Sequence, residues 1–254
     1  LVANGRSLSQ AAIRACGAAP RSARLKSKVV PRKQPALRLP RINRRDVFLN
    51  IPYDSQFEPL YLAFIVGLLE LGFIPKTTLE ISKSPIRGQK SRLDRILELI
   101  QSCAYSFHDL SRVELNLDPP TPTPRFNMPF ELGLAISWAK WTENFGSGLP
   151  QHEWFVSDGL KNRAQKSISD LNGVDIYIHQ QSPQTLLACL CNAFTKAPNP
   201  GVPSMMQTYD NLVALIPKLI KNAGASDLFE PRMFNDLILA TSALIEERTR
   251  TTPV

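Results

Sequence analysis

The sequence predicts an α/β domain built on a doubly wound parallel sheet of about five strands, extended by two C-terminal helices. Three observations carry this expectation. Short apolar runs recur at 47–51, 73–81, 103–108, 153–157 and 174–179, each of strand length. Longer segments with helical periodicity separate them, and strands alternating with helices form a parallel sheet covered on both faces. After Ala197-Pro-Asn-Pro-Gly201 the alternation stops and two amphipathic helical stretches follow.

The first 45 residues stand apart from this pattern. They hold twelve Lys or Arg and no Asp or Glu, leaving 18 basic residues against all 22 acidic ones in the remainder. The chain's pI near 9.5 is therefore a property of the tail. Residues 46–254 are mildly acidic, which argues against nucleic acid as a partner of the folded part. The tail is rich in Arg, Ser, Ala and Pro without sustained periodicity. It cannot bury enough apolar surface to offset its ordering entropy, so a disordered basic segment is expected over 1–45. A transit peptide, a nucleic-acid arm or a non-native upstream extension would have the same composition.

The first strand, Val47–Ile51, is bounded by basic residues and by Pro52. The loop Pro52-Tyr-Asp-Ser55 leads into a helix over Gln56–Leu71, stopped by Gly72. Apolar nearly all round, this helix should be covered by more than the sheet. Phe73–Ile81 reads as the second strand, followed by a polar loop over 82–89. Ser91–Ser102 is amphipathic, with Leu93, Ile96, Leu97 and Ile100 on one face. Cys103–His108 is the third strand. A Pro-rich connection over 111–125 is longer than a turn, as binding loops often are. Asn127 is expected to cap a helix reaching about Trp141. Glu153–Ser157 is the fourth strand, Leu160–Leu171 a polar helix and Val174–His179 the fifth strand. Ser182 and Pro183 form a cap and first-turn pair opening a helix to about Lys196. The domain so defined, flavodoxin-like in outline, covers 46–198. The helical pair at 204–223 and 228–248 falls within a C-terminal region over 199–254. It packs on the sheet domain or forms a surface for homo-oligomers.

Composition excludes several classes. The longest apolar run, Leu60–Leu69, is about half a membrane span, so a buried helix is expected and no membrane partner. Four cysteines at 16, 103, 189 and 191 and three histidines at 108, 152 and 179 match no zinc spacing. Cys189 and Cys191 lie in an apolar helical run as packing residues. A reducing, cytoplasmic setting is expected, with no metal and no cofactor. No phosphate-loop, dinucleotide-binding or nucleophile-elbow motif is present, which leaves kinase, redox and serine-hydrolase chemistry without support.

In an open parallel sheet, ligands bind beyond the carboxyl ends of the strands. That rule selects Asn50, Pro52, Tyr53 and Asp54 after the first strand, and Glu80 with the basic 82–90 loop after the second. His108, Asp109 and Ser111 follow the third, and the long loop delivers Asn127 and Glu131. Glu131 is the only charged residue between Met128 and Trp138. A carboxylate near a helix start is favoured by the macrodipole alone, but it normally sits on a polar face, and this helix has almost none. A desolvated carboxylate has a raised pKa and is a candidate functional group. Gly133 offers room for a close approach. Asp109 reads equally as a turn residue, and His108 as a histidine of the core or strand end. Arg87, Lys90 and Arg92, near a helix start, form a solvated basic loop or an anion site.

The segments Val47-Phe-Leu-Asn-Ile-Pro-Tyr-Asp54, Cys103-Ala-Tyr-Ser-Phe-His-Asp-Leu-Ser111 and Pro129-Phe-Glu-Leu-Gly-Leu-Ala135 together resemble the nucleoside 2-deoxyribosyltransferase-like family, a relative of TIR domains. The resemblance spans roughly residues 46–180. It implies that Glu131 is the nucleophile or the carboxylate that stabilises an oxocarbenium centre, and that Asp109 holds or protonates the base. The family places a Gly/Ser/Thr-rich turn and an Asp before its glutamate; here Thr-Pro-Arg-Phe-Asn-Met-Pro stands there, with Asn127 near the Asp position. The expectation is N-glycosidic bond cleavage or transfer on a nucleoside, nucleotide or NAD-like substrate. Glu131 and Asp109 would be catalytic, and Asn50, Pro52, Tyr53, Asp54, Ser111 and Asn127 would bind. A non-catalytic nucleotide-binding or TIR-like signalling module, or an effector active only when assembled, uses the same pocket.

Overall fold

A computed structural model describes residues 42–79, 91–113, 115–116, 123–145, 149 and 151–251. The basic tail up to residue 41 and the 80–90 loop, with Glu80, Arg87 and Lys90, lie outside them. The sheet comprises β1 (Asn43–Asn50), β2 (Ile74–Lys76), β3 (Cys103–Asp109), β6 (Glu153–Asp158) and β7 (Ile176–Ile178). All four neighbouring pairs are parallel, in the order β2-β1-β3-β6-β7. This is the flavodoxin-like arrangement, and its strand order reverses between β1 and β3. Within the Pro-rich connection, β4 (Leu115–Asn116) and β5 (Thr123–Pro124) pair antiparallel.

The helices are α1 (Glu58–Glu70), α2 (Arg92–Ser102), α3 (Asn127–Phe145), α4 (Arg163–Ser167), α5 (Pro183–Ala193), α6 (Val202–Ala223) and α7 (Pro231–Thr251). Alternation along β1 divides them into two layers. Val47 and Leu49 pack with α1, α5, α6 and α7 in the largest core, whereas Phe48 packs with Ile96 and Ile100 of α2 and Ala135 of α3. Leu110, Met128, Leu132, Val156 and Ala164 form a third cluster beside α3 and α4.

Several boundaries differ from expectation for local reasons. β1 starts at Asn43, so Arg44 and Arg45 belong to the sheet and not to a tail; Arg45 donates from Nε to the Gly72 carbonyl at 2.7 Å. The polar helix expected over Leu160–Leu171 is only Arg163–Ser167 followed by a 3-10 turn, Ser169–Leu171. Asn162 in front of it is left-handed, with φ 63°, which prevents the helix from extending back to Leu160. α2 is fixed by a capping box: Ser91 Oγ accepts from the Asp94 N–H at 3.1 Å and Asp94 Oδ2 accepts from the Ser91 N–H at 3.0 Å. Gly133 is exposed with open space around it. The close approach occurs instead at Gly67, where an added Cβ would stand 2.5 Å from Leu190 Cδ1 as α1 meets α5.

The C-terminal helices cover α1, which explains why that helix is apolar all round. Met205 and Leu212 of α6 and Met233, Phe234 and Leu237 of α7 are buried in one core with Phe64 and Ile65. The ion pair between Arg248 of α7 and Glu70 at the end of α1, 2.6 Å, is closed by Thr208 of α6 donating to the same carboxylate at 2.6 Å. Phe234→Ala is expected to destabilise the fold by about 3–5 kcal/mol. Urea denaturation should show one transition moving as a whole; a separate early transition of 199–254 would contradict a shared core.

Candidate functional site

The strand ends beside the reversal between β1 and β3 hold three polar constellations. In the first, Glu131 lies about one helical turn (~6 Å) into α3. It is 4% exposed. Its partner is Arg92, the first residue of α2, at 3.6 Å from Nη2 to Oε1. Burial pushes the Glu131 carboxyl up to about 7, and Arg92 opposes that rise only in part. At neutral pH this carboxyl is therefore divided between its two forms. Tyr53 shares the same field: burial raises its phenol to about 12, Glu131 adds to the rise, and Arg92 and the hydroxyls of Thr78 and Thr77 oppose it. The Tyr53 ring is held by edge contacts with Tyr61 and Phe229, each at 6.2 Å. A protonated phenol and a half-ionised carboxyl thus sit together.

The second constellation is centred on Asp54. Its Oδ1 accepts the backbone N–H groups of Gln56 and Phe57, both at 3.1 Å, as an Asp turn does. Two arginines converge on the same carboxylate. Arg112, after β3, donates from Nη2 to Oδ1 at 3.2 Å and from Nε to Oδ2 at 3.4 Å. Arg125, before α3, donates from Nη1 to Oδ2 at 3.3 Å.

The third runs through the sheet. Asn50 Nδ2 donates to the Met128 carbonyl at 3.2 Å, which fixes the amide's orientation, and to His108 Nδ1 at 2.9 Å. His108 therefore carries its proton on Nε2 and donates to Ser106 Oγ at 2.9 Å. Ser106 donates to His152 Nε2 at 2.8 Å, and His152 Nδ1 donates to the Cys103 carbonyl at 3.0 Å. Every donor finds an acceptor with both rings neutral. Burial, aided by His152, lowers the His108 pKa to about 3. The chain ties the carboxyl end of β1 to the start of α3. Asn50 Oδ1 is buried with no protein partner among the described residues.

Asp109 and Ser111 lie elsewhere. Asp109 is wholly buried and accepts from the Ser111 N–H at 2.9 Å, from Ser111 Oγ, from Ser157 Oγ at 2.6 Å and from His179 Nε2 at 2.9 Å. His179 Nδ1 in turn accepts the Gln181 N–H at 3.1 Å. That N–H is delivered by a turn whose two central residues, Gln180 and Gln181, both have positive φ. Asp109 joins β3, β6 and the end of β7; its lone pairs are engaged internally, so holding or protonating a base is not open to it in this arrangement. Ser111 is consumed in the same network. Pro52 is buried, and Asn127 is exposed as the first residue of α3, where Phe126 supplies the carbonyl that receives the Phe130 N–H at 3.0 Å. Asn127 is thus inside the helix and does not cap it.

Of the expected residues, the structure gathers Asn50, Tyr53, Asp54 and Glu131 around the start of α3. Sequence reasoning missed Arg92 as the partner of Glu131, and also Arg112, Arg125, Thr77 and Thr78. The strand-end rule reaches Arg112, just past β3; Arg125 closes the long connection ahead of α3, and Thr77 and Thr78 fall inside the strand expected over Phe73–Ile81, whereas β2 is only Ile74–Lys76. Among the described residues no group of His, Cys, Asp and Glu could hold a metal ion, and no helix is long and apolar enough to cross a membrane. No family model matches the chain, and no curated protein does.

The raised pKa of Glu131 makes a signed prediction. The native state retains a proton that the unfolded chain releases above about 4.5, so this stabilisation is complete below that pH and is lost as pH rises through about 7. Glu131→Gln, neutral throughout, should gain roughly 1–3 kcal/mol on wild type between pH 4.5 and 8. Thermal denaturation at both pH values measures it, and a difference independent of pH would contradict a desolvated carboxyl. Asp109→Ala should instead cost about 3–5 kcal/mol, since it leaves Ser157 and His179 buried without their acceptor.

Proposed function

We propose that the protein cleaves or transfers at an N-glycosidic bond of a nucleoside, nucleotide or NAD-like substrate, with Glu131 as the catalytic carboxylate. The observation that carries the reading is Glu131 itself: a buried carboxyl at the ligand-binding edge of an open sheet, raised to about 7, and only partly compensated by Arg92. A structural cap has no need of that cost, whereas a group that must stabilise transient positive charge benefits from it. The resemblance of residues 46–180 to the nucleoside 2-deoxyribosyltransferase-like family supports the same reaction.

Cleavage at C1′ passes through an oxocarbenium-like centre, which an ionised carboxylate stabilises or traps. In the covalent version a Glu131 oxygen bonds to C1′ as the C1′–N bond breaks, and the electron pair stays on the base nitrogen. Tyr53, whose phenol donates to the Leu49 carbonyl at 3.3 Å, would turn that proton to the departing base, taking the place of Asp109 as donor. Water, or a second base in a transfer, then displaces Glu131 from C1′, and the proton released by that acceptor restores the phenol. Asn50, locked by His108 and Met128, presents its unpartnered oxygen as an acceptor for a ligand hydroxyl or amine. The thiols of Cys189 and Cys191 fit the reducing, cytoplasmic setting inferred for this chemistry.

Purified protein incubated with nucleosides, nucleotides and NAD should release free base, detected by chromatography. Glu131→Gln should lower the rate at least ~10³-fold while ligand binding persists. Because Glu131 acts when ionised, kcat/KM should rise with pH through about 7. Arg92→Gln removes the charge that favours ionisation, and should move this limb to higher pH. Ligand binding without base release would identify a non-catalytic binding module instead.

A further inference from the structure

We infer that Arg112 and Arg125, held together by Asp54, form an anion subsite that receives the phosphate of a nucleotide, so that the substrate is phosphorylated and a free nucleoside is the poorer ligand. The inference rests on the reading of Glu131 as the reacting carboxylate and names the substrate class for that same site. A brace between loops would be complete with one arginine. Asp54 already accepts two backbone N–H groups, and among the described residues the second guanidinium leaves a net positive charge beside a partner shared by two like charges. Exposed ion pairs stabilise little, so the surplus cation is poorly explained by stability. It is well suited to an arriving anion.

The geometry fits that role. Each guanidinium has five N–H donors in a planar fork that matches phosphate oxygens, and Asp54 engages three of the ten. The Arg112 side chain is 29% exposed and that of Arg125 45%, so both are reachable while Asp54 fixes their position. Arg125 lies just ahead of α3, whose amino end adds favourable partial charge. Glu131 lies about one helical turn (~6 Å) in from the start of α3, the same helix end that Arg125 precedes. Asp54, placed by the sequence among the ligand-binding residues, acts through the arginines it positions.

Calorimetric titration of the full chain with adenosine, AMP, NAD, pyrophosphate and inorganic phosphate tests this. AMP or NAD should bind at least about tenfold more tightly than adenosine, and that ratio should fall toward one in Arg125→Gln and weaken as salt is raised. Arg125→Lys should restore it only in part, because a point charge replaces the fork. Arg125 is the more exposed of the two, and an unchanged melting temperature shows that its variants fold. Equal affinity for adenosine and all phosphate-bearing ligands, including no binding by any, overturns the subsite; so does a preference that survives Arg125→Gln. Inorganic phosphate binding as tightly as AMP overturns the nucleotide assignment. Base release abolished in Glu131→Gln together with equal affinities removes the subsite and leaves the glutamate reading intact. A phosphate preference with base release unaffected in Glu131→Gln does the reverse.

Discussion

Placing ionisable groups where water is scarce is costly unless each finds opposite charge or enough hydrogen bonds, and this requirement organises the ligand-binding edge of the sheet. All five strands run the same way, so their polar ends converge on one rim. Asp109 meets the requirement through two serines and His179. Asp158 meets it through Arg163 and two backbone N–H groups. His108 and His152 meet it as neutral rings in a chain with consistent donors and acceptors. Glu131 is the group left short. Among the described residues its one contact, with Arg92 at 3.6 Å, does not offset its burial, and it therefore keeps a proton far above the usual carboxylate range.

The compensated groups explain why the uncompensated one can persist. The Asp109 network fastens β3, β6 and β7 at their carboxyl ends, and the hydrogen bond from Asn50 to the Met128 carbonyl fastens β1 to the start of α3. Asp54 gathers the loop after β1, the loop after β3 and the segment before α3 onto one carboxylate. The helix that carries Glu131 is thus tied on several sides, and α3 cannot easily shift to let the carboxyl reach water. On the opposite layer, α6 and α7 complete the burial of α1 in the largest core, while α3, which carries Glu131, packs in the two smaller ones.

Much of this was legible in the sequence, because the relevant patterns are local. Strand-length apolar runs separated by helical periods define the sheet, and Glu131 alone among apolar neighbours stands out without any structure. The strand-end rule places Asn50, Tyr53 and Asp54 at the rim. What sequence could not supply is pairing across the chain. Asp109 looks the same whether it faces a ligand or His179, and only the β3–β6–β7 neighbourhood decides. Arg92 reads as a helix-start cation until α2 and α3 are packed side by side. Two local signals were nonetheless present: Ser91 and Asp94 have capping-box spacing, and Ser106 with His108 puts two polar groups on one face of a central strand, where a buried partner is required. The short helix at Arg163–Ser167 was misread because polar helical periodicity does not reveal a left-handed residue such as Asn162.

The central claim is that Glu131 is a desolvated, incompletely compensated carboxyl at the ligand-binding rim. Carbon-13 NMR of protein with labelled glutamate side chains, with the resonance assigned through Glu131→Gln, measures its titration directly. The account predicts a midpoint near 7 that moves upward when Arg92 is replaced. A midpoint near 4.5, insensitive to Arg92, would mean that the carboxyl is solvated and would contradict the account.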